Sequence, residues 1–156
     1  METRKTGPAA AFEALAALKD EGYNILVDLT AVDFSAQGRI PRFEVVYRVA
    51  CLDLDTGLET KPRVEVCCEV GEEPALRSVR SLWPAADWLE REVWDMFGVR
   101  FADRPDIKRL LMYEEFVGHP LRKDYPIRKR QPLIGPKEDP VEPVNLNKAA
   151  QKVDYE

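Results

Sequence analysis

Four charged residues, Glu90, Arg91, Glu92 and Asp95, stand close together in this 156-residue chain and could do acid–base chemistry. Paired carboxylates push each other's pKa apart, so that one stays ionised while the other holds a proton, as general acid–base catalysis requires. The helical spacing around them argues for a different role. Arg91 lies four residues from both Asp87 and Asp95 and can bridge them along one face, while Glu90 points elsewhere at about 100° per residue. A structural ion-pair ladder is therefore expected ahead of a catalytic pair. His119 is the single histidine, which excludes any site built on two imidazoles and argues against a zinc centre. Neither Ser35, Ser78 nor Ser81 sits in the nucleophile-elbow context that a Ser-His-acid triad would use.

Other chemistry is equally hard to place. Cys51, Cys67 and Cys68 make an odd set without C-x-x-C spacing, and adjacent residues of a strand point to opposite faces, so reduced, half-buried thiols are expected. An iron–sulfur cluster takes about four thiolates, more than this chain has. The eight glycines form neither G-x-G-x-x-G nor G-x-x-x-x-G-K, so no phosphate or dinucleotide cradle is visible. Trp83, Trp88 and Trp94 read as core or interface residues ahead of a cofactor stack. Arg122, Lys123, Arg128, Lys129 and Arg130 surround Tyr125 in an extended run between prolines. Two readings of that run stay open: docking on an acidic protein neighbour, or binding of a nucleic-acid backbone.

The elements that must position these residues follow from patterning. Phe12, Leu15, Ala16 and Leu18 share a helical face over Ala10 to Asp20, with Gly22 beyond its end. Asn24 to Thr30 reads as a strand apolar on both faces and therefore buried. Arg42 to Leu52 alternates, with Phe43, Val45, Tyr47, Val49 and Cys51 on one face; Arg63 to Val70 alternates likewise, and Asp55, Thr56 and Gly57 supply the turn of an antiparallel hairpin. Glu72 to Leu82, with Pro74 near its start, predicts a short helix ended by Pro84. Asp87 to Phe97 predicts another, with Leu89, Val93 and Met96 or Phe97 on its core stripe and Gly98 as left-handed cap.

These elements make an α+β domain, a mixed or antiparallel sheet with a few short helices packed on it, over residues 1–126. Residues 127–156 are expected to form an extended proline-rich arm, since six of twelve prolines lie between Pro120 and Pro143. The length suits one core. Residues 1–99 carry 11 basic and 18 acidic groups and residues 100–156 carry 12 and 10, a split that suits a C-terminal part meeting an acidic surface. No apolar run approaches the roughly 20 residues of a membrane span, and no secretory signal is expected.

One ordered set of residues is specific: Trp88-Leu-Glu-Arg-Glu-Val-Trp-Asp-Met-Phe-Gly-Val-Arg-Phe101, then Pro105-Asp, Arg109-Leu-Leu-Met112, and Gly118-His-Pro-Leu-Arg-Lys-Asp-Tyr-Pro126. It resembles the signature of the C-type, or 30 kDa, subunit of NADH:quinone oxidoreductase, respiratory complex I. Thr30-Ala-Val-Asp33 and Arg42-Phe-Glu-Val-Val-Tyr47 extend the resemblance over about residues 10–130. It implies a non-catalytic structural subunit of the peripheral arm of a proton-translocating enzyme. Its partners would be the quinone-pocket subunit (49 kDa type, also called D-type), iron–sulfur subunits of B and I type and other peripheral-arm subunits, at the cytoplasmic face of the cell membrane. FMN, iron–sulfur clusters and quinone would then belong to the partners, with no cofactor in this chain. The resemblance extends to homologous subunits of membrane-bound hydrogenases, formate hydrogenlyases and enzymes fed by ferredoxin or another donor.

Carried over position by position, Glu90, Arg91, Glu92, Asp95, Gly98, Pro105, His119, Arg122, Lys123, Asp124 and Tyr125 match the family pattern. The expected subunit interface is made of Glu90, Arg91, Glu92, Asp95, Arg104, His119, Arg122, Lys123, Asp124 and Tyr125. Asp103-Arg104 stands where the family usually has Gly-His, so charge and partner contact should differ in that loop. The family usually carries a further helix and strand before the position of Phe12, a place expected here to be filled by a partner.

Overall fold

The computed structural model describes residues 2–71 and 76–131. The expected α+β class is found: a four-stranded mixed sheet in the order β1-β4-β3-β2, with two helices. The chain runs β1 (Glu2–Thr6), α1 (Ala11–Asp20), β2 (Ile25–Asp33), β3 (Phe43–Leu52), β4 (Glu59–Val70) and α2 (Ala86–Phe97). β2, β3 and β4 form an antiparallel meander, and β1 adds in parallel along the free side of β4, Glu2 opposite Val64 through Thr6 opposite Cys68. A strand thus stands before Phe12, in part of the place expected to be filled by a partner. Its sequence, Glu-Thr-Arg-Lys-Thr, is polar because the strand lies at the sheet edge, where apolar alternation is not demanded.

One face of the sheet carries the core. The register sets Leu29, Tyr47 and Val66 side by side, and Ala31, Val45 and Cys68 in the next row. These pack with Leu15 and Leu18 of α1, Val93 of α2, and Val79, Trp83, Val99 and Phe101 from the connecting segments. On the other face Arg48 reaches Glu65 and Asp28, a solvated ladder of charge. β2 is not buried on both faces as its composition suggests: Val27 and Val32 are about two-fifths exposed. The pairing shifts between Leu26 and Asp28, a bulge that turns both Leu26 and Leu29 inward and leaves Val27 outside.

Residues 76–82 form no helix. Leu76 makes a single parallel bridge to Phe101 and the chain then turns, so the helix expected over Glu72 to Leu82 is not formed in its described part; Pro74 lies outside the described residues. Two buried polar contacts replace the helical ladder here, Ser78 Oγ and the Val79 amide both donating to Glu90. α2 forms as expected and ends at Gly98, φ 77°, whose N–H donates to the Trp94 carbonyl. Most of the expected arm, residues 132–156, lies outside the described residues.

Candidate functional site: carboxylate clamps around α2

α2 is amphipathic in an unusual sense. Its buried side presents Ala86, Val93 and Met96 together with two carboxylates, Glu90 and Asp95, neither of them exposed at all. A buried carboxylate must find donors or lose its charge. Each of these finds an arginine from the loop that follows the helix.

Glu90 accepts from Ser78 Oγ at 2.7 Å, the Val79 amide at 2.8 Å and Arg104 Nη1 at 2.9 Å. Arg104 also binds Asp87, at both its carboxylate and its carbonyl, while Asp103 accepts from the Ser78 amide at 2.8 Å. Asp103-Arg104 is therefore an internal clasp that ties the 101–107 loop to α2 and to the turn at Ser78, with Arg104 only 8% exposed. Desolvation dominates at Glu90 and raises its pKa despite these donors.

Asp95 sits in a tighter cage. One oxygen accepts from Arg109 Nη1 at 2.6 Å; the other accepts the amides of Leu110, Leu111 and Met112 at 3.0, 2.8 and 2.9 Å. Burial alone would raise its pKa, but the amides and the guanidinium outweigh it and the net shift is downward. Arg109 passes the connection on, donating to the carbonyls of Phe116 and Gly118 at 2.8 and 3.0 Å. His119 closes the circuit: its Nδ1 donates to the Asp95 carbonyl at 2.9 Å, its ring meets Trp94 edge-on, and burial lowers its pKa. A Cβ on Gly98 would lie 2.7 Å from His119 Cδ2, so glycine is required both for the cap and for the close approach of this ring.

A third clamp joins the far end of the sheet to the same segment. Asp33, at the end of β2, takes two bonds from Arg42 (2.7 and 3.0 Å), one from the Ser35 amide at 2.9 Å and one from the Lys123 amide at 2.8 Å. Arg42 turns its other side to Asp124, at 2.7 and 3.0 Å. Desolvation would raise the Asp33 pKa; Arg42 and the amides hold it well below the usual carboxylate range. Arg42 and Arg122 bring Asp124 down to about 2.

The expected ladder through Arg91 is not formed. Asp87 pairs with Arg104 and Asp95 with Arg109, while Arg91 donates to the carbonyls of Lys108 and Arg109 at 3.1 and 2.7 Å and lies over Trp88. Helical spacing permits Arg91 to reach both acids, but Asp95 faces inward, out of its reach. Of the other expected interface residues, Glu92 and Lys123 are exposed, and Tyr125 is half-buried against Phe116. Asp33, Arg42 and Arg109 are missing from the expected interface, although all three stand inside the runs that carry the family resemblance. An aspartate closing an apolar strand and an arginine opening the next is the signal that could have found the Asp33–Arg42 pair. Trp83 is core, its indole N–H donating to the Tyr23 carbonyl, whereas Trp88 is 59% exposed.

In this arrangement Glu90, Asp95 and Asp33 are each bound by arginines and amides of the chain itself. Among the described residues no group of three or more His, Cys, Asp or Glu is placed to hold a metal ion, and no helix is long and apolar enough to cross a membrane. Cys67 and Cys68 are both buried, more so than expected, and burial pushes the Cys68 thiol up to about 12.

Comparison with known proteins gives a consistent result. A family profile described as respiratory-chain NADH dehydrogenase, 30 Kd subunit, matches residues 5–131. The C-type subunit of NADH-quinone oxidoreductase from Citrifermentans bemidjiense is 42% identical over 127 residues, covering 79% of this chain and 74% of the relative. NADH dehydrogenase (ubiquinone) iron-sulfur protein 3 of Arabidopsis thaliana is 44% identical over 119 residues, 74% of this chain but 58% of the longer plant protein. A solved trypsin-resistant fragment of Nqo5 superposes with a TM-score of 0.60 at 34% identity, over 67% of this chain and 80% of the fragment. The matched stretch takes in all three clamps and the sheet that anchors them, and on that likeness the chain belongs to the family of the respiratory-chain NADH dehydrogenase 30 Kd subunit.

Proposed function

We propose that this chain is a non-catalytic structural subunit in the peripheral arm of a proton-translocating NADH:quinone oxidoreductase. It braces the quinone-pocket subunit and the iron–sulfur subunits of B and I type while electrons pass from NADH to quinone. FMN, clusters and quinone are carried by those partners, and the assembly sits at the cytoplasmic face of the membrane.

The observation that supports this most is how the acidic residues are used. Glu90, Asp95 and Asp33 bind the chain's own arginines and amides, and in doing so fix the 101–125 segment against α2 and the sheet. In this reading Glu90, Asp95, Arg104 and His119 act from inside. Arg91, Glu92, Arg122, Lys123, Asp124 and Tyr125 take part in the contact surface that they hold in shape, beside the exposed Trp88, Leu111, Val117 and Leu121. Exposed aromatic and aliphatic groups rimmed by charge are the usual composition of a protein–protein contact.

The test is affinity purification of the tagged full chain from solubilised membranes. Flavin, iron–sulfur and quinone-pocket subunits should co-purify with it. Recovery of the chain alone, or with hydrogenase subunits in their place, contradicts the reading.

A further inference from the structure

Beside the Glu90 clamp, one set of cations has too little counter-charge among the described residues. A cavity of about 240 Å3 opens beside α2, lined by Arg80, Arg91, Arg104, Asp106, Ile107 and Lys108. Arg104 is already neutralised by Asp87 and Glu90. Arg80, Arg91 and Lys108 therefore face the single carboxylate of Asp106 across a small opening. Among the described residues the side chains of Arg80 and Lys108 make no hydrogen bond or ion pair. A concave site with an excess of one sign concentrates its field and draws counter-ions.

Arg91 differs from the other two in being held. Its Nε and Nη2 donate to the carbonyls of Lys108 and Arg109, and its guanidinium lies 5.0 Å from the centre of the Trp88 ring. Those bonds leave Nη1 uncommitted, so the group is oriented before any ligand arrives.

We propose that this cavity binds a phosphate group, with Arg91 as the fixed anchor and Arg80 and Lys108 as mobile arms. The four cations meet the three carboxylates of Asp87, Glu90 and Asp106, an excess of one positive charge, and the guanidinium forks of Arg80 and Arg91 suit the oxygens of a phosphate. The volume is below the roughly 300–1,000 Å3 of sites for drug-sized ligands, so a small anion or the end of a larger molecule fits. A second cavity of about 500 Å3, lined in part by Trp94, Phe101 and Ile107, shares Arg104 and Ile107 with the first. Its aromatic wall could take the remainder of a phosphate ester. Free phosphate and a nucleotide phosphate are thus the two sources of the same chemistry.

The experiment is calorimetric titration of the purified full chain with inorganic phosphate and with AMP, at fixed low ionic strength. Saturable binding of at least one probe is expected, weakened at least tenfold in Arg80→Ala and in Lys108→Ala, and unchanged in Arg128→Ala, a basic residue outside the cavity. Both substitutions remove exposed side chains, and an unaltered melting temperature will show that the fold is retained. Tighter binding of AMP than of phosphate identifies a nucleotide as the source; equal binding identifies free phosphate. Absence of saturable binding for both probes overturns the proposal. So does binding that survives Arg80→Ala and Lys108→Ala, or that falls equally in Arg128→Ala.

Discussion

Asp95→Asn should be among the most damaging single-atom changes available in this chain. The parent carboxylate is wholly buried and accepts one guanidinium and three amide hydrogen bonds. Asparagine keeps an oxygen for the amides of residues 110–112, as a weaker neutral acceptor, but turns an NH2 toward Arg109 Nη1. Breaking a buried pair by removing one charge costs about 3–5 kcal/mol. Arg109 keeps its bonds to the carbonyls of Phe116 and Gly118, so the lower end applies, about 3 kcal/mol. For a chain of this size that is a fall in Tm of roughly 6–12 °C. Thermal and urea unfolding of the full chain read it directly.

The sign of linkage sharpens the prediction. Asp95 has a lowered pKa in the folded state, so its contribution is present above the unfolded value of about 3.9 and is lost as pH falls through the folded one. The gap between parent and Asp95→Asn should therefore narrow in acid. Glu90 shifts the other way: its pKa is raised, and its proton-linked contribution is present below the unfolded value of about 4.3 and lost as pH rises through the folded one. Glu90→Gln, which mimics the protonated acid, should cost less than half as much at neutral pH. An Asp95→Asn protein melting within about 1 °C of the parent, or a Glu90→Gln protein that is the less stable of the two, would refute this reasoning.

Three further outcomes are expected. Gly98→Ala combines a φ of 77° with a Cβ 2.7 Å from His119 and should destabilise by about 2 kcal/mol or more, seen as a lower Tm and a displaced His119 resonance. Tyr47→Phe should leave stability unchanged or raise it by up to about 1 kcal/mol, because the buried Tyr47 hydroxyl has no hydrogen-bond partner among the described residues; a clear loss in urea unfolding would mean that a partner exists. Arg42→Ala should move the Asp124 titration, followed by carboxyl NMR, from about 2 toward the ordinary range near 3.9, and should flatten the loss of stability as pH falls below about 4, because the contribution of Asp124 is then already missing at neutral pH.

How far the sequence could be read depended on whether a residue's role was local. α1, β3, β4 and α2 were legible because alternation and helical spacing are properties of adjacent residues, and Gly98 announced its own cap. β1 was not, because a polar edge strand has no pattern of its own and owes its place to β4, some sixty positions away. The two-faced apolar reading of β2 failed at a bulge that no composition encodes. At the site, helical arithmetic set Arg91 with Asp87 and Asp95 and turned Glu90 away, but it could not tell inward from outward, and Glu90 and Asp95 are both buried. Pairing Arg91 with Asp87 and Asp95 ignored Arg104 and Arg109, which come from a loop whose path is set only once Ser78, Leu76 and Phe101 have met. The runs that carry the family resemblance contain Glu90, Asp95, Arg109 and His119. Which of them work from inside became visible only from burial.

We propose that the signature acids hold structure and do no chemistry. The most direct measurement is NADH:quinone turnover per assembled complex, normalised to bound flavin, in membranes carrying Asp95→Asn or Glu92→Gln as the sole copy of this subunit. The account predicts that Asp95→Asn lowers the amount of assembled complex while turnover per flavin stays at the parent value, and that Glu92→Gln changes at most the amount. Full assembly with turnover abolished in either variant would contradict it.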